Sequence, residues 1–153
     1  MKKRIYTDTS VIGGCLDVEF ESGSTPLFES FSTGKSIIVI SSLTLAELEN
    51  APKPVQDILK RVPSEYVEYL EFSEDANDLA NAYLKEGVIT KKSRVYAQHI
   101  ATATISHVDV LVSWNFKHIV NLDRIHGYNS VNLKLGYPMI EIRTPIEVLH
   151  YED

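Results

Sequence analysis

The run Ser36-Ile37-Ile38-Val39-Ile40 constrains the fold more than any other stretch of the chain. Unbroken β-branched residues of this kind suit a strand covered on both faces, and such strands belong to parallel sheets flanked by helices. Other strand candidates surround it. Lys2–Thr7 is the first, and Tyr66–Phe72 is a third whose Glu68 and Glu71 suggest an exposed strand. Val108–Ser113 is a fourth, and Met139–Arg143 a fifth that Thr144-Pro145 stops.

Helical patterns fill the intervals. Val11–Phe20 reads as a helix or turn interrupted by Gly13-Gly14, residues 21–24 as a loop, and Pro26 as the opening of a helix that Gly34 ends. Leu43–Asn50 and Val55–Val62 are helices parted by Ala51-Pro52-Lys53-Pro54. Ser73-Glu74-Asp75 opens a helix with Ala76, Leu79, Ala80, Tyr83 and Leu84 on one face, closed by Gly87. Tyr96–Ser106 is a helix rich in small residues, and the segment after strand four is helical in part. Strands alternating with helices imply βαβ units and a mostly parallel sheet, with any ligand at the carboxyl ends of the strands.

Without internal repeats or linkers, the 153 residues read as a single domain, 1–153. A net charge of −6 argues against retention on nucleic acid by bulk electrostatics, though a local basic patch could still serve an enzyme that acts on it. No stretch is apolar for long enough to span a membrane. The basic N-terminus reaches Asp8 before any apolar region of a signal peptide. Cys15, which has no second cysteine to pair with, fits a reducing cytoplasm and reads as structural.

Several positions beside strand ends or helix starts can carry chemistry. Asp8 follows strand one and is either the cap of the next helix or a site carboxylate. Glu47 is either the partner of Thr44 in a capping box or a second site carboxylate. Tyr96 begins the small-residue helix, and Ser113 and Asn115 follow strand four. Two carboxylates brought together repel each other, and a divalent cation with retained waters relieves this. His99 shares the helix face of Tyr96, but among Ala and Ile it reads as a core histidine; His118, three residues after Asn115, is no stronger. Lys91, Lys92 and Arg94 precede that helix, either as a solvated loop or as contacts to a phosphate backbone. Neither zinc-ligand spacing nor a glycine-rich phosphate loop is present.

Three motifs in order, Ile-Tyr-Thr-Asp-Thr-Ser, Ser-Ser-Leu-Thr-Leu-Ala-Glu-Leu, and Tyr-Ala-Gln-His-Ile-Ala-Thr-Ala leading into Val-Asp-Val-Leu-Val-Ser-Trp-Asn-Phe-Lys-His-Ile, make the chain resemble the PIN-domain family over nearly its whole length. The resemblance implies a three-layer α/β/α sandwich around a mostly parallel sheet of about five strands. It also implies a Mg²⁺- or Mn²⁺-dependent endoribonuclease, often the VapC-like toxin of a toxin–antitoxin pair. Asp8 matches the first acid of the family and Glu47 the second. Tyr96 and Asn115 stand where the third and fourth are acidic, with Ser113 retained. The expected site is therefore Asp8, Glu47, Ser113 and Asn115, with Asp8 and Glu47 as metal ligands and Thr9, Lys91, Lys92 and Arg94 toward substrate. Expected partners are RNA and an antitoxin protein, and homodimers are common in the family. The alternative is a catalytically impaired PIN-like domain that binds RNA or protein.

Overall fold

In a computed structural model that describes residues 1–150, five parallel strands form one sheet in the order β3-β2-β1-β4-β5. They are β1 (Arg4–Thr7), β2 (Ile37–Ser41), β3 (Val67–Leu70), β4 (Val110–Val112) and β5 (Ile142–Arg143). Ile38 pairs with Ile5 on one side of β2 and with Val67 on the other, and Tyr6 pairs with Leu111 across β1 and β4.

The β-branched run behaves as its composition requires. Ile38 and Ile40 enter one core with Ile5, Val110 and Val112, against α1 (Thr9–Gly14), α2 (Glu21–Ser32), α3 (Ser42–Glu49), α4 (Lys53–Lys60) and α8 (Pro145–His150). Val39, Tyr6 and Leu111 point the other way, toward α5 (Glu74–Lys85), α6 (Arg94–Ile105) and α7 (Leu122–Lys134). Two apolar layers thus enclose the sheet, and the period-two alternation along each strand divides its residues between them. The result is an α/β/α sandwich.

Three local expectations change. Residues 21–24 belong to α2, so Pro26 lies inside that helix rather than at its start. Tertiary packing explains the extra turn. Ser24 donates to the Val11 carbonyl at 2.7 Å and accepts from the Trp114 indole at 2.9 Å. A Cβ on Gly23 would come within 2.8 Å of the Trp114 ring, so only glycine lets the helix lie this close. The fifth strand is shorter than expected, because Asn129 takes the backbone of Ile140 out of the ladder, donating to its carbonyl and accepting from its amide. The capping box is absent as well: α3 begins at Ser42, which leaves Glu47 too far along the helix to reach back to its first amides. β3 lies at the edge of the sheet and is partly exposed, as its Glu residues suggested, and Arg4 of β1 reaches across to Glu68 there.

Candidate functional site

The chain runs outward from β1 to β2 and β3, then returns to place β4 on the other flank of β1. The carboxyl ends of β1 and β4 therefore form the point where strand order reverses, which is where open α/β sheets leave a crevice. Asp8 stands at the end of β1 and Ser113 at the end of β4.

Asp8 performs two tasks at once. Its Oδ1 accepts from the Val11 amide at 3.1 Å and caps α1, and it also accepts from Ser10 Oγ at 2.6 Å. Its Oδ2 accepts from Ser113 Oγ at 2.6 Å. With only 6% of its surface exposed, burial raises its carboxyl above the ordinary value, against the pull of these donors and of His99. Helix capping and a site carboxylate were alternatives in the sequence; the geometry shows the cap, with Oδ2 turned to Ser113 at the strand ends.

Glu47 comes from α3 at the end of β2, and its Oε1 lies 2.5 Å from Nε2 of His99. Burial pushes the Glu47 carboxyl up, but the hydrogen bond and charge interaction with His99 outweigh it, and the carboxyl lies below its ordinary value. The Thr9 hydroxyl leans toward the same carboxylate without a well-formed hydrogen bond. His99 is 2% exposed, as a core histidine would be, yet both ring nitrogens are engaged: Nδ1 meets Tyr6 Oη at 2.7 Å, and Tyr6 Oη meets Ser41 Oγ at 2.7 Å. Sequence reading placed His99 in the core and missed these partners. The available signal was its position three residues after Tyr96, on the face that turns to the strand ends.

The remaining candidates divide. Asn115 donates its amide to Ser113 Oγ at 2.9 Å, while its Oδ1 accepts from the amides of Lys117 and His118 and so closes a turn. Tyr96 stacks on His118, with ring centroids 4.8 Å apart and planes at 15°. Lys91 and Lys92 are exposed in a 3₁₀ turn before α6, and Arg94 is tied to Asn81 Oδ1 at 2.6 Å. Asp109 lies at the opposite edge of the sheet, where it accepts from the Arg4 amide at 2.7 Å.

The donor chemistry admits one hard cation. Each carboxylate has about four lone-pair positions; Asp8 uses three of them for protein donors, and His99 holds one oxygen of Glu47, so both acids retain positions for a ligand. Among the described residues, no group of three or more His, Cys, Asp or Glu side chains could hold a metal ion. Two carboxylates with open positions are the kind of donor set that a Mg²⁺- or Mn²⁺-like ion takes together with retained waters.

No family model matches the chain, and no curated protein matches it. Solved structures do. FitAcB from Neisseria gonorrhoeae is 16% identical with a TM-score of 0.59, covering 93% of this chain and 98% of that one. VapBC2 from Rickettsia felis, bound to a DNA fragment from its promoter, is 16% identical with a TM-score of 0.57, covering 92% and 98%. VapC20 from Mycobacterium tuberculosis, a Sarcin-Ricin loop cleaving toxin, is 16% identical with a TM-score of 0.55, covering 74% and 91%. At such low identity the likeness establishes the fold, and that fold is PIN-like.

Proposed function

We propose that this chain is a divalent-metal-dependent endoribonuclease and the toxin half of a toxin–antitoxin pair. The observation that carries the reading is the gathering of Asp8, Glu47 and Ser113 around the carboxyl ends of the first, second and fourth strands, with His99 acting on both acids. The VapC20 and VapBC2 neighbours support the class of substrate and the existence of a partner protein, respectively.

Asp8 and Glu47 would hold one Mg²⁺ or Mn²⁺. Such an ion neutralises the two acids, polarises a phosphoryl oxygen and favours the ionisation of water. The chain's own residues supply the rest. Ser113 fixes Asp8 in place, and Asn115 keeps its side-chain amide group for the scissile phosphate or a water. Lys91 and Lys92, together with Arg94, favour an RNA backbone where the net charge of −6 does not, while the Thr9 hydroxyl lies deeper, beside Glu47. Among the described residues no helix is long and apolar enough to cross a membrane.

The direct test is cleavage of RNA by purified protein with Mn²⁺, comparing wild type with Asp8→Asn. No cleavage by wild type, or equal cleavage by both, defeats the proposal. One observation favours a second reading, a non-catalytic module that binds RNA or protein: Tyr96 is stacked on His118 and the Asn115 oxygen is spent on a turn, so neither replaces the missing acids. That reading expects no calorimetric Mn²⁺ binding that depends on Asp8 and Glu47.

A further inference from the structure

We propose that His99 is a positioning residue, which fixes the Glu47 carboxylate for its ligand and is itself fixed from behind by Tyr6 and Ser41. The proposal rests on the reading of Asp8 and Glu47 as holders of a divalent cation.

A polar chain runs inside an apolar layer. Tyr6 is fully buried on β1, in the core that α5, α6 and α7 cover, and Ser41 is fully buried at the end of β2. Around His99 on α6, Ala97, Ile100, Ala101 and Ala103 all belong to that core. A histidine there must satisfy both ring nitrogens or carry the desolvation cost of an unpaired one. His99 satisfies both, and one of them on a carboxylate that is half-buried at the strand ends.

The direction of the bonds follows from chemistry. An ionised carboxylate only accepts, so Nε2–H of His99 donates to Glu47 Oε1. On its other side Nδ1 shares a hydrogen bond with Tyr6 Oη, accepting from it when the ring is neutral and donating to it when the ring is charged, and Tyr6 Oη is bonded in turn to Ser41 Oγ. The chain Ser41–Tyr6–His99–Glu47 fixes one ring orientation, with Nε2–H toward Glu47 in either state of the ring. His99 therefore presents a donor to Glu47 and does not compete for the cation with a free lone pair. Partners of this kind, one bond behind a metal ligand, typically change metal affinity by 10–100-fold.

A purely structural histidine would serve Tyr6, whereas a positioning histidine serves Glu47, and two substitutions separate the tasks. In His99→Asn the amide reaches the place of Nδ1 and keeps Tyr6, but falls short of Glu47. In His99→Gln the longer side chain brings an N–H to the place of Nε2 and keeps Glu47. Mn²⁺ affinity is measured by calorimetry, alongside KM and kcat for RNA cleavage and thermal midpoints as a check on folding. We expect His99→Asn to bind Mn²⁺ about tenfold more weakly or worse, and His99→Gln to stay within a few-fold of wild type. Equal affinity in wild type and His99→Asn, or loss in His99→Gln with retention in His99→Asn, overturns the positioning role alone. If wild type itself binds no Mn²⁺, the metal reading falls and the positioning role falls with it. Should neither His99 variant fold, Tyr6→Phe decides: it keeps the ring in the core but frees the orientation of His99, and unchanged Mn²⁺ affinity there overturns the proposal.

Discussion

Ser113 Oγ donates to Asp8 Oδ2 at 2.6 Å, bridging the ends of two adjacent strands whose residues lie 105 positions apart. The same oxygen accepts from the Asn115 amide, so one hydroxyl ties β1, β4 and the turn that follows. Ser113→Ala removes a donor from a buried carboxylate and an acceptor from a backbone amide. The expected cost is about 1–3 kcal/mol, measurable as a lower midpoint in urea. RNA cleavage should fall at the same time. A variant as stable and as active as wild type would show that Asp8 does not depend on this bond.

Burial of Asp8 works against its charged form. Burial raises its carboxyl above the ordinary value, so the folded chain keeps that proton to higher pH than the unfolded chain. Its contribution is therefore most favourable below the unfolded value and is lost as pH rises through the folded one. Asp8→Asn removes this pH-dependent penalty; its side-chain oxygen still accepts from Ser10 and Val11, while the amide nitrogen in the place of Oδ2 only donates, so the bond from Ser113 is lost at every pH. Relative to wild type, the variant should gain in thermal midpoint between about pH 4 and about pH 7, while cleavage is abolished. Calorimetry at both pH values checks the sign, and a constant difference would count against the charge argument.

How far the sequence could be read depended on the range of the interaction. The strand alternation lies in consecutive residues, so Ile38, Val39 and Ile40 announce a two-sided sheet before any contact is known. Asp8 and Ser113 were legible because each ends a strand, and strand ends converge in this topology. His99 was not, since its partners Glu47 and Tyr6 lie 52 and 93 residues away, and its immediate neighbours are those of any core helix. The same limit misled the reading of Pro26. The local rule puts proline at a helix start, whereas Trp114, 90 residues from Ser24, supports one more turn before it.

That support by Trp114 can be tested at Gly14. A Cβ there would come within 2.4 Å of Ser24 Oγ and 2.7 Å of the indole nitrogen, atoms already joined to each other. Gly14→Ala must push the indole aside, at about 1–3 kcal/mol. Trp114 is the only tryptophan in the sequence, so its fluorescence reports the displacement directly, and urea titration reports the cost. An unchanged emission spectrum with unchanged stability would mean that the pocket has room the geometry denies.

Asn115 and Tyr96 occupy the two positions where the resemblance expects acids, and they should respond differently to restoration. The Asn115 oxygen accepts from the amides of Lys117 and His118, and an aspartate accepts equally well, so Asn115→Asp should leave stability within about 0.5 kcal/mol of wild type. It also adds a carboxylate beside Ser113, and Mn²⁺ should bind more tightly. Tyr96→Asp instead gives up the stack on His118, a loss of about 0.5–1.5 kcal/mol beyond the buried area. If missing carboxylates alone limit the site, the double variant should cleave RNA faster than wild type with Mn²⁺ despite a lower thermal midpoint. A double variant that binds Mn²⁺ more tightly without cleaving faster would locate the limit in how the chain holds its RNA rather than in its acids.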